Sequence, residues 1–321
     1  MRNSLKRDNQ LSLLSHLNCD SELVSPLIDV EEKMAVKVPC IGNGVNVIDC
    51  RHIDRHKYIE EAHGLDFHNK TLSGPTVSIA QDIPVIPPEC FDREPETIDS
   101  NIVGVRLYDI LSIKPRRKMG FYQLQDGVHI DLGVLSKSVF RGKKIVLICT
   151  GMDVVIEKLW WLRNDINLFD TIARAKFDAV VGMNFSLFLG ECPLAQLLNL
   201  NKSLVFCQEL SKRGVAVLPH VYAINDQQRS KWVNYLNENP LIETIVINTQ
   251  LQKDPYSMHQ VRLTTEALLI NTEVTIILNG YGLKNLPPES AKRVFVANQR
   301  GMKKDAIIES AVLKRYGTAA A

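Results

Sequence analysis

Some side chains in this sequence could do chemistry, and they fall into two sets. The first could move protons. His220 follows the apolar run Val217-Leu218-Pro219, and an unperturbed imidazole titrates at about 6.5, close to neutrality. Glu191 stands just before Cys192-Pro193 and a long helical pattern, and Asp153 and Glu157 lie four residues apart, a spacing that puts both on one side of a helix. The catalytic candidates are therefore His220, Glu191 and Asp153. The second set is neutral: Asn184, Ser186, Tyr222, Asn248, Gln250, Asn279 and Asn298. An amide offers two donors and one acceptor without charge, which suits a nucleobase or a sugar, so these are the candidate substrate-binding residues. Each also has a structural reading. Asn satisfies free backbone N–H groups at turns and helix starts, a carboxylate favours the first turn of a helix, and a single His is often part of a core.

What unites both sets is position, because each residue follows an apolar run. Ile145-Val146-Leu147-Ile148-Cys149 is continuous and apolar, as expected for a strand covered on both faces. Similar runs are Asp178–Gly182, Val215–Leu218, Thr244–Ile247, Val274–Leu278 and Val294–Val296. Between them lie helical patterns over Met152–Arg163, Pro193–Arg213 (stopped by Gly214), Gln227–Asn237 and Ser257–Ile270, a helix start at Pro287-Pro288, and a last helix over about 304–314. Strands alternating with helices predict βαβ units and a parallel sheet. Ile102–Leu107 and a short run at Val45–Asp49 bring the strand count near eight. The expected fold class is α/β: a (β/α) barrel-like parallel sheet, complete or incomplete, with an irregular N-terminal extension. The alternative is an open doubly wound sheet. In both, the working face lies at the carboxyl ends of the strands, where the candidate residues stand. No glycine-rich dinucleotide fingerprint follows any strand.

The expected division is an irregular N-terminal extension over 1–100 and an α/β barrel-like domain over 101–316. The prolines at 75, 84, 87, 88 and 95 suggest an extended connection following the surface before that boundary. The chain has 38 basic and 36 acidic residues, a net charge of +2, so no global field draws it to nucleic acid. A local exception is the basic run Lys114-Pro115-Arg116-Arg117-Lys118, which reads as a solvated loop or as a phosphate-contacting patch. Seven cysteines, an odd number and widely spaced, do not read as a disulfide framework; a reducing, cytoplasmic compartment is expected. No run approaches the roughly 18 apolar residues of a membrane span, so no membrane partner is expected. Cys40, Cys50, His52 and His56, with His63 and His68 downstream, match no familiar zinc spacing, and no metal ligands are assigned. No P-loop, Gly-x-Ser-x-Gly elbow or His-Glu-x-x-His helix occurs, and the cofactor is left unknown.

The run Phe177-Asp178-Ala179-Val180-Val181-Gly182-Met183-Asn184-Phe185-Ser186-Leu187-Phe188 resembles a motif in an uncharacterised family of bacterial and mobile-element proteins, a domain of unknown function with a barrel-like α/β fold. In that family an Asp or Asn followed by Phe-Ser and an aromatic closes a strand. Asn184-Phe185-Ser186 takes that place here, with Asn184 where an Asp is often found. Gly214-Val215-Ala216-Val217-Leu218-Pro219-His220-Val221-Tyr222 is similar to the family's next strand. The resemblance covers about residues 143–285 and implies a plasmid, phage or defence-island setting. Two functional expectations follow, their chemistry from the residues and their mobile-element or defence setting from the resemblance. One is a barrel-type protein that binds or acts on a nucleoside, nucleotide or nucleic acid, with the glycosidic bond as the point of attack, as a hydrolase or glycosyl transferase. The other is a non-catalytic interaction or scaffold subunit of a mobile-element or phage-defence complex, meeting a protein partner or a second copy of itself through the N-terminal extension.

Overall fold

The computed structural model describes residues 62–63, 69–112, 116–118, 121–123, 127–187, 193–250, 252, 255–283 and 286–299. The fold is α/β. Its strands are β1 (Ile83–Pro84), β2 (Ile102–Arg106), β3 (Arg116–Lys118), β4 (Phe121–Gln123), β5 (Lys144–Ile148), β6 (Ala179–Val181), β7 (Val217–Leu218), β8 (Thr244–Asn248), β9 (Thr275–Asn279) and β10 (Val294–Asn298). Its α-helices are α1 (Asp153–Leu162), α2 (Leu168–Arg174), α3 (Pro193–Lys212), α4 (Asp226–Glu238), α5 (Pro255–Asn271) and α6 (Pro288–Ala291). Two four-stranded sheets, ordered β2-β5-β6-β7 and β1-β10-β9-β8, are parallel throughout, and β3 and β4 form a separate antiparallel pair.

The two parallel sheets meet at both of their edges. Val85, just after β1, bridges Gly104 of β2, and Ile86 N donates to Gly104 O at 2.8 Å. His220, just after β7, bridges Val246 of β8, where Val246 N donates to Pro219 O at 2.9 Å and Val221 N to Val246 O at 2.8 Å. One apolar cluster draws side chains from every parallel strand or the residue beside it: Ile83 and Val85, Ile102, Val146 and Ile148, Ala179 and Val181, Leu218, Val246, Ile277 and Ala297. The opposite faces of the same strands feed two further clusters. Val103, Val105, Leu147, Cys149 and Val180 pack with Val155, Ile156, Leu159 and Trp160 of α1 and with Phe206 and Leu210 of α3. Ile245, Ile247, Ile276 and Leu278 pack with Trp232 and Tyr235 of α4 and with Leu268 of α5. Burial on both faces explains the unbroken apolar runs, and each fully buried large side chain contributes about 1.5–3 kcal/mol.

Local signals set the helix ends. Asn225 caps α4, its side chain accepting from Gln228 N at 2.8 Å, while the Gln228 side chain accepts from Ile224 N at 3.0 Å, a reciprocal arrangement of the capping-box kind. Helix α3 ends in a Schellman motif: Val215 N donates to Leu210 O and Gly214 N to Ser211 O, with Gly214 at φ +76°, a backbone state that favours glycine.

Several expectations need correction. The run at Val45–Asp49 and the last helix over 304–314 lie outside the described residues. Among the described residues the eighth parallel strand is β1, inside the proline-dense stretch read above as a surface connection; Ile83, Val85 and Ile86 are all buried. Val85 and Ile86 donate that strand's hydrogen bonds to its neighbours, so Pro84, which has no N–H, deprives the ladder of no donor there. The basic run is not a loop throughout, since Arg116–Lys118 is a strand paired with Phe121–Gln123. Helix α2 was not anticipated. It begins after Asn167, whose left-handed φ of 48° re-aims the chain without a Gly or Pro. No helix of the described residues is long and apolar enough to cross a membrane.

Candidate functional site

The carboxyl ends of the parallel strands carry the polar residues, in two neighbourhoods. The first lies beyond β5, β6 and β7. Lys202, inside α3, extends its ammonium to both carboxylate oxygens of Glu157 on α1, at 2.9 Å each, and lies 4.2 Å from the centre of the Phe185 ring. Both charged residues are buried. Such a pair barely repays the loss of hydration, but either ion left alone would be very costly. One turn earlier, the half-buried Asp153 accepts from Ser186 Oγ at 2.5 Å. Burial raises the Asp153 carboxyl above its ordinary range. The nearby Glu157 charge adds to this, while the Ser186 hydrogen bond and Lys202 oppose it. Tyr222 Oη accepts from Phe185 N at 3.1 Å, and burial pushes this phenol upward.

His220 does not join this group as an acid or base. It is 1% exposed, neither ring nitrogen has a hydrogen-bond partner, and its ring meets Tyr222 edge-on at 5.0 Å. Burial alone lowers its pKa to about 3, so it is neutral and shielded from solvent at any ordinary pH. The proton-transfer role expected of His220 is therefore corrected: at this burial it is a core residue. Close packing around it also explains Gly182, where a Cβ would stand 2.8 Å from Cys207 Sγ. Burial raises the thiols of Cys149 and Cys207, the latter to about 12, so neither is a ready nucleophile. Glu191 lies outside the described residues.

The second neighbourhood lies beyond β8, β9 and β10 and is made of neutral groups. Asn248 Oδ1 accepts from Gln250 N at 3.1 Å, Gln250 Nε2 donates to Asn279 Oδ1 at 3.3 Å, and Asn279 Nδ2 donates to Thr150 Oγ1 at 2.9 Å. Gly280 permits this, for at φ +127° a Cβ there would stand 2.7 Å from Gln250 N. Asn279 and Thr150 are buried, whereas Asn248, Gln250 and Asn298 are half-exposed. Asn184, also buried, uses its Oδ1 on Gly151 N at 2.9 Å. Asn184 and Asn279 are thus committed to protein partners. They lie beneath the half-exposed residues at the strand ends, where ligand contacts are expected from the sequence. Asp153, Ser186, Tyr222, Asn248, Gln250 and Asn298 are half-exposed.

Sequence reasoning missed Arg106 and Lys202. Arg106, the last residue of β2, binds Asp109 through Nε at 2.6 Å and Nη2 at 2.9 Å. The Gln299 amide, oriented with its oxygen toward the guanidinium, accepts from Arg106 Nη2 at 3.1 Å. Alternation along β2 from Ile102 through Gly104 could have found Arg106, and a lysine within the apolar Leu198–Cys207 stretch could have signalled a buried partner. At the opposite, amino-terminal ends of β7 and β8, a shallow crevice is lined by Leu72, Pro75, Val77, Val217 and Thr244 among others, with Glu243 the only titratable side chain in its lining. Among the described residues no group of three or more His, Cys, Asp or Glu could hold a metal ion; of the N-terminal Cys and His set, only His63 is described. Comparison of the chain with protein-family models and with curated proteins finds no match.

Proposed function

We propose that the two sheets are halves of one closed eight-stranded parallel barrel, and that its mouth binds a nucleoside or nucleotide and cleaves it at the glycosidic bond. Closure is supported by the bridges at both junctions and by the apolar cluster that takes side chains from all eight strands. It is supported again by the Asn279–Thr150 hydrogen bond. In the order β1-β2-β5-β6-β7-β8-β9-β10, β5 and β9 stand four places apart, opposite each other across a ring of eight. Strand alternation then carries the inward face to polar residues at the carboxyl end. Arg106 is two beyond Gly104, Thr150 two beyond Ile148, Asn248 two beyond Val246, Asn279 two beyond Ile277 and Gln299 two beyond Ala297.

The observation that carries the catalytic part is Asp153, a carboxyl raised by burial and held by Ser186. A raised carboxyl is protonated more often near neutrality than an ordinary Asp and can act as a general acid. In the proposed step it gives its proton to the departing base as the carbon–nitrogen bond breaks. Water supplies the oxygen of the new bond at the sugar carbon, and its proton restores the carboxyl. Asn248 and Gln250, on the inward face two and four beyond Val246, orient the ligand, whereas Asn298 shares the outward face of Val296. Glu157, tied to Lys202, holds α1 in place. A second reading, binding without turnover, is favoured by the burial of His220, which leaves Asp153 as the one carboxyl with a raised pKa among the described mouth residues.

The test is Asp153→Asn, assayed with a panel of nucleosides and nucleotides by thermal shift for binding and by release of free base for turnover. The expected result is retained binding and a turnover loss of about 100-fold or more. The proposal fails if the wild type binds none of the panel, or if the variant releases base at the wild-type rate. Wild-type binding without base release selects the second reading.

A further inference from the structure

Among the inward-facing polar residues Arg106, Thr150, Asn248, Asn279 and Gln299 at the carboxyl ends of the strands, Arg106 alone is charged. Its strand sets where it faces. Arg106 pairs in register with Ile148, and Gly104, two residues earlier, pairs with Val146. Both partners belong to the apolar cluster shared by the parallel strands. A Cβ on Gly104 would stand 2.9 Å from Ile148 Cδ1 and 3.3 Å from Ile83 Cγ2, inside that cluster. The Arg106 side chain therefore leaves β2 on the same face, one step nearer the carboxyl end. Its guanidinium is fixed by two neighbours. Nε and Nη2 donate to the two carboxylate oxygens of Asp109 at 2.6 and 2.9 Å, and Nη2 also donates to the Gln299 side-chain oxygen at 3.1 Å. The Asp109 side chain is only 3% exposed, against 25% for Arg106, so the carboxylate is covered while the guanidinium reaches solvent. Nη1 has no hydrogen-bond partner among the described residues, and it brings two N–H donors.

A guanidinium clamped on one edge and open on the other is set for an oxoanion. Its planar donors match phosphate oxygens, and a charge-assisted hydrogen bond is roughly twice as strong as a neutral one. Because Asp109 already holds the side chain still, little conformational freedom is lost when an anion arrives. The amides supply the complementary chemistry. In the order β1-β2-β5-β6-β7-β8-β9-β10, β2 and β8 stand four places apart, so Arg106 lies across the proposed ring from Asn248. A ligand whose base meets Asn248 and Gln250 turns its other end toward Arg106. We infer that Arg106 receives the phosphate of a nucleoside monophosphate at the mouth, with Asp109 and Gln299 as positioning residues. The inference rests on the reading of the mouth as a nucleoside or nucleotide site and narrows its ligand to the phosphorylated form. One open guanidinium edge serves one phosphate group, which favours a monophosphate over a triphosphate.

The experiment is isothermal titration of the full chain with the common ribonucleosides and deoxyribonucleosides, their 5′-monophosphates and inorganic phosphate. The proteins are the wild type, Arg106→Gln/Asp109→Asn and Arg106→Lys. The double variant removes both charges together, so no buried carboxylate is left unpaired. The readout is the ratio of affinities for a monophosphate and for its matched nucleoside. In the wild type that ratio should be about 10-fold or more. In the double variant it should fall to about 1. Arg106→Lys keeps the charge but not the planar fork, and should lower the ratio about 3-fold. A purely structural role for Arg106 would weaken both ligands alike and leave the ratio in place. An unchanged ratio in either variant therefore overturns the inference, as does inorganic phosphate binding the wild type as tightly as the nucleotides do. Wild-type binding of nucleosides with no preference for the monophosphate removes the phosphate contact and leaves the mouth, whereas binding of none of the panel removes both.

Discussion

The sheet β2-β5-β6-β7 and the sheet β1-β10-β9-β8 have the same architecture and opposite chemistry at their carboxyl ends. Beyond the first stand the raised carboxyl of Asp153, the buried Glu157–Lys202 pair, the sealed imidazole of His220 and the raised phenol of Tyr222. Beyond the second stand Asn248, Gln250, Asn279 and Asn298, which are all neutral. The difference teaches a division of labour. Charge is kept where helices α1 and α3 bury it, and under the proposed function recognition falls to amides, whose hydrogen bonds do not depend on pH.

The contrast breaks most easily at the ion pair. Glu157→Ala leaves the Lys202 ammonium buried without its carboxylate, so unfolding by urea should show a loss of about 3–5 kcal/mol. Glu157→Met/Lys202→Met, which removes both charges, should recover most of that loss. No comparable single cost is expected from a neutral amide of the other sheet. If Glu157→Ala costs less than about 1 kcal/mol, the charged neighbourhood is not as dry as described.

His220 sharpens the comparison through pH. Its folded pKa lies near 3 against about 6.5 when unfolded, so the folded state favours the neutral ring. The stability tied to that ring is complete above about pH 6.5. It is lost as pH falls from there toward 3, because the unfolded chain binds a proton that the folded chain refuses, at up to about 1.4 kcal/mol per pH unit. His220→Phe should flatten the part of the stability–pH curve between pH 6 and 4. If the curve of the variant falls as steeply as that of the wild type, other groups govern acid unfolding.

The strand–helix alternation was legible because burial on both faces leaves an unmistakable run such as Ile145–Cys149, and helix ends such as Asn225 and Gly214 carry their own punctuation. Strand β1 was not legible. Two residues are too few to show a period, and Pro84 argued for a surface path until Val85 and Ile86 were seen to make the junction. The site was legible in position but not in use. Counting to the end of a strand finds Asn279 and Asn184, but only three-dimensional contacts reveal that Thr150, Gln250 and Gly151 already occupy their amides. His220 was over-read for the same reason, since imidazole chemistry depends on an exposure that its place in the chain does not disclose. Lys202 was under-read because its partner Glu157 lies 45 residues away.

The central claim is that the mouth above β8 to β10 binds a nucleoside or nucleotide through its half-exposed amides. Isothermal titration of the best ligand from the nucleotide panel into the wild type and into Asn248→Ala/Gln250→Ala tests it most directly. The account predicts at least a 10-fold loss of affinity, equivalent to about 1.4 kcal/mol, with the melting temperature nearly unchanged because both side chains sit at the rim. Equal affinity in the two proteins would contradict it.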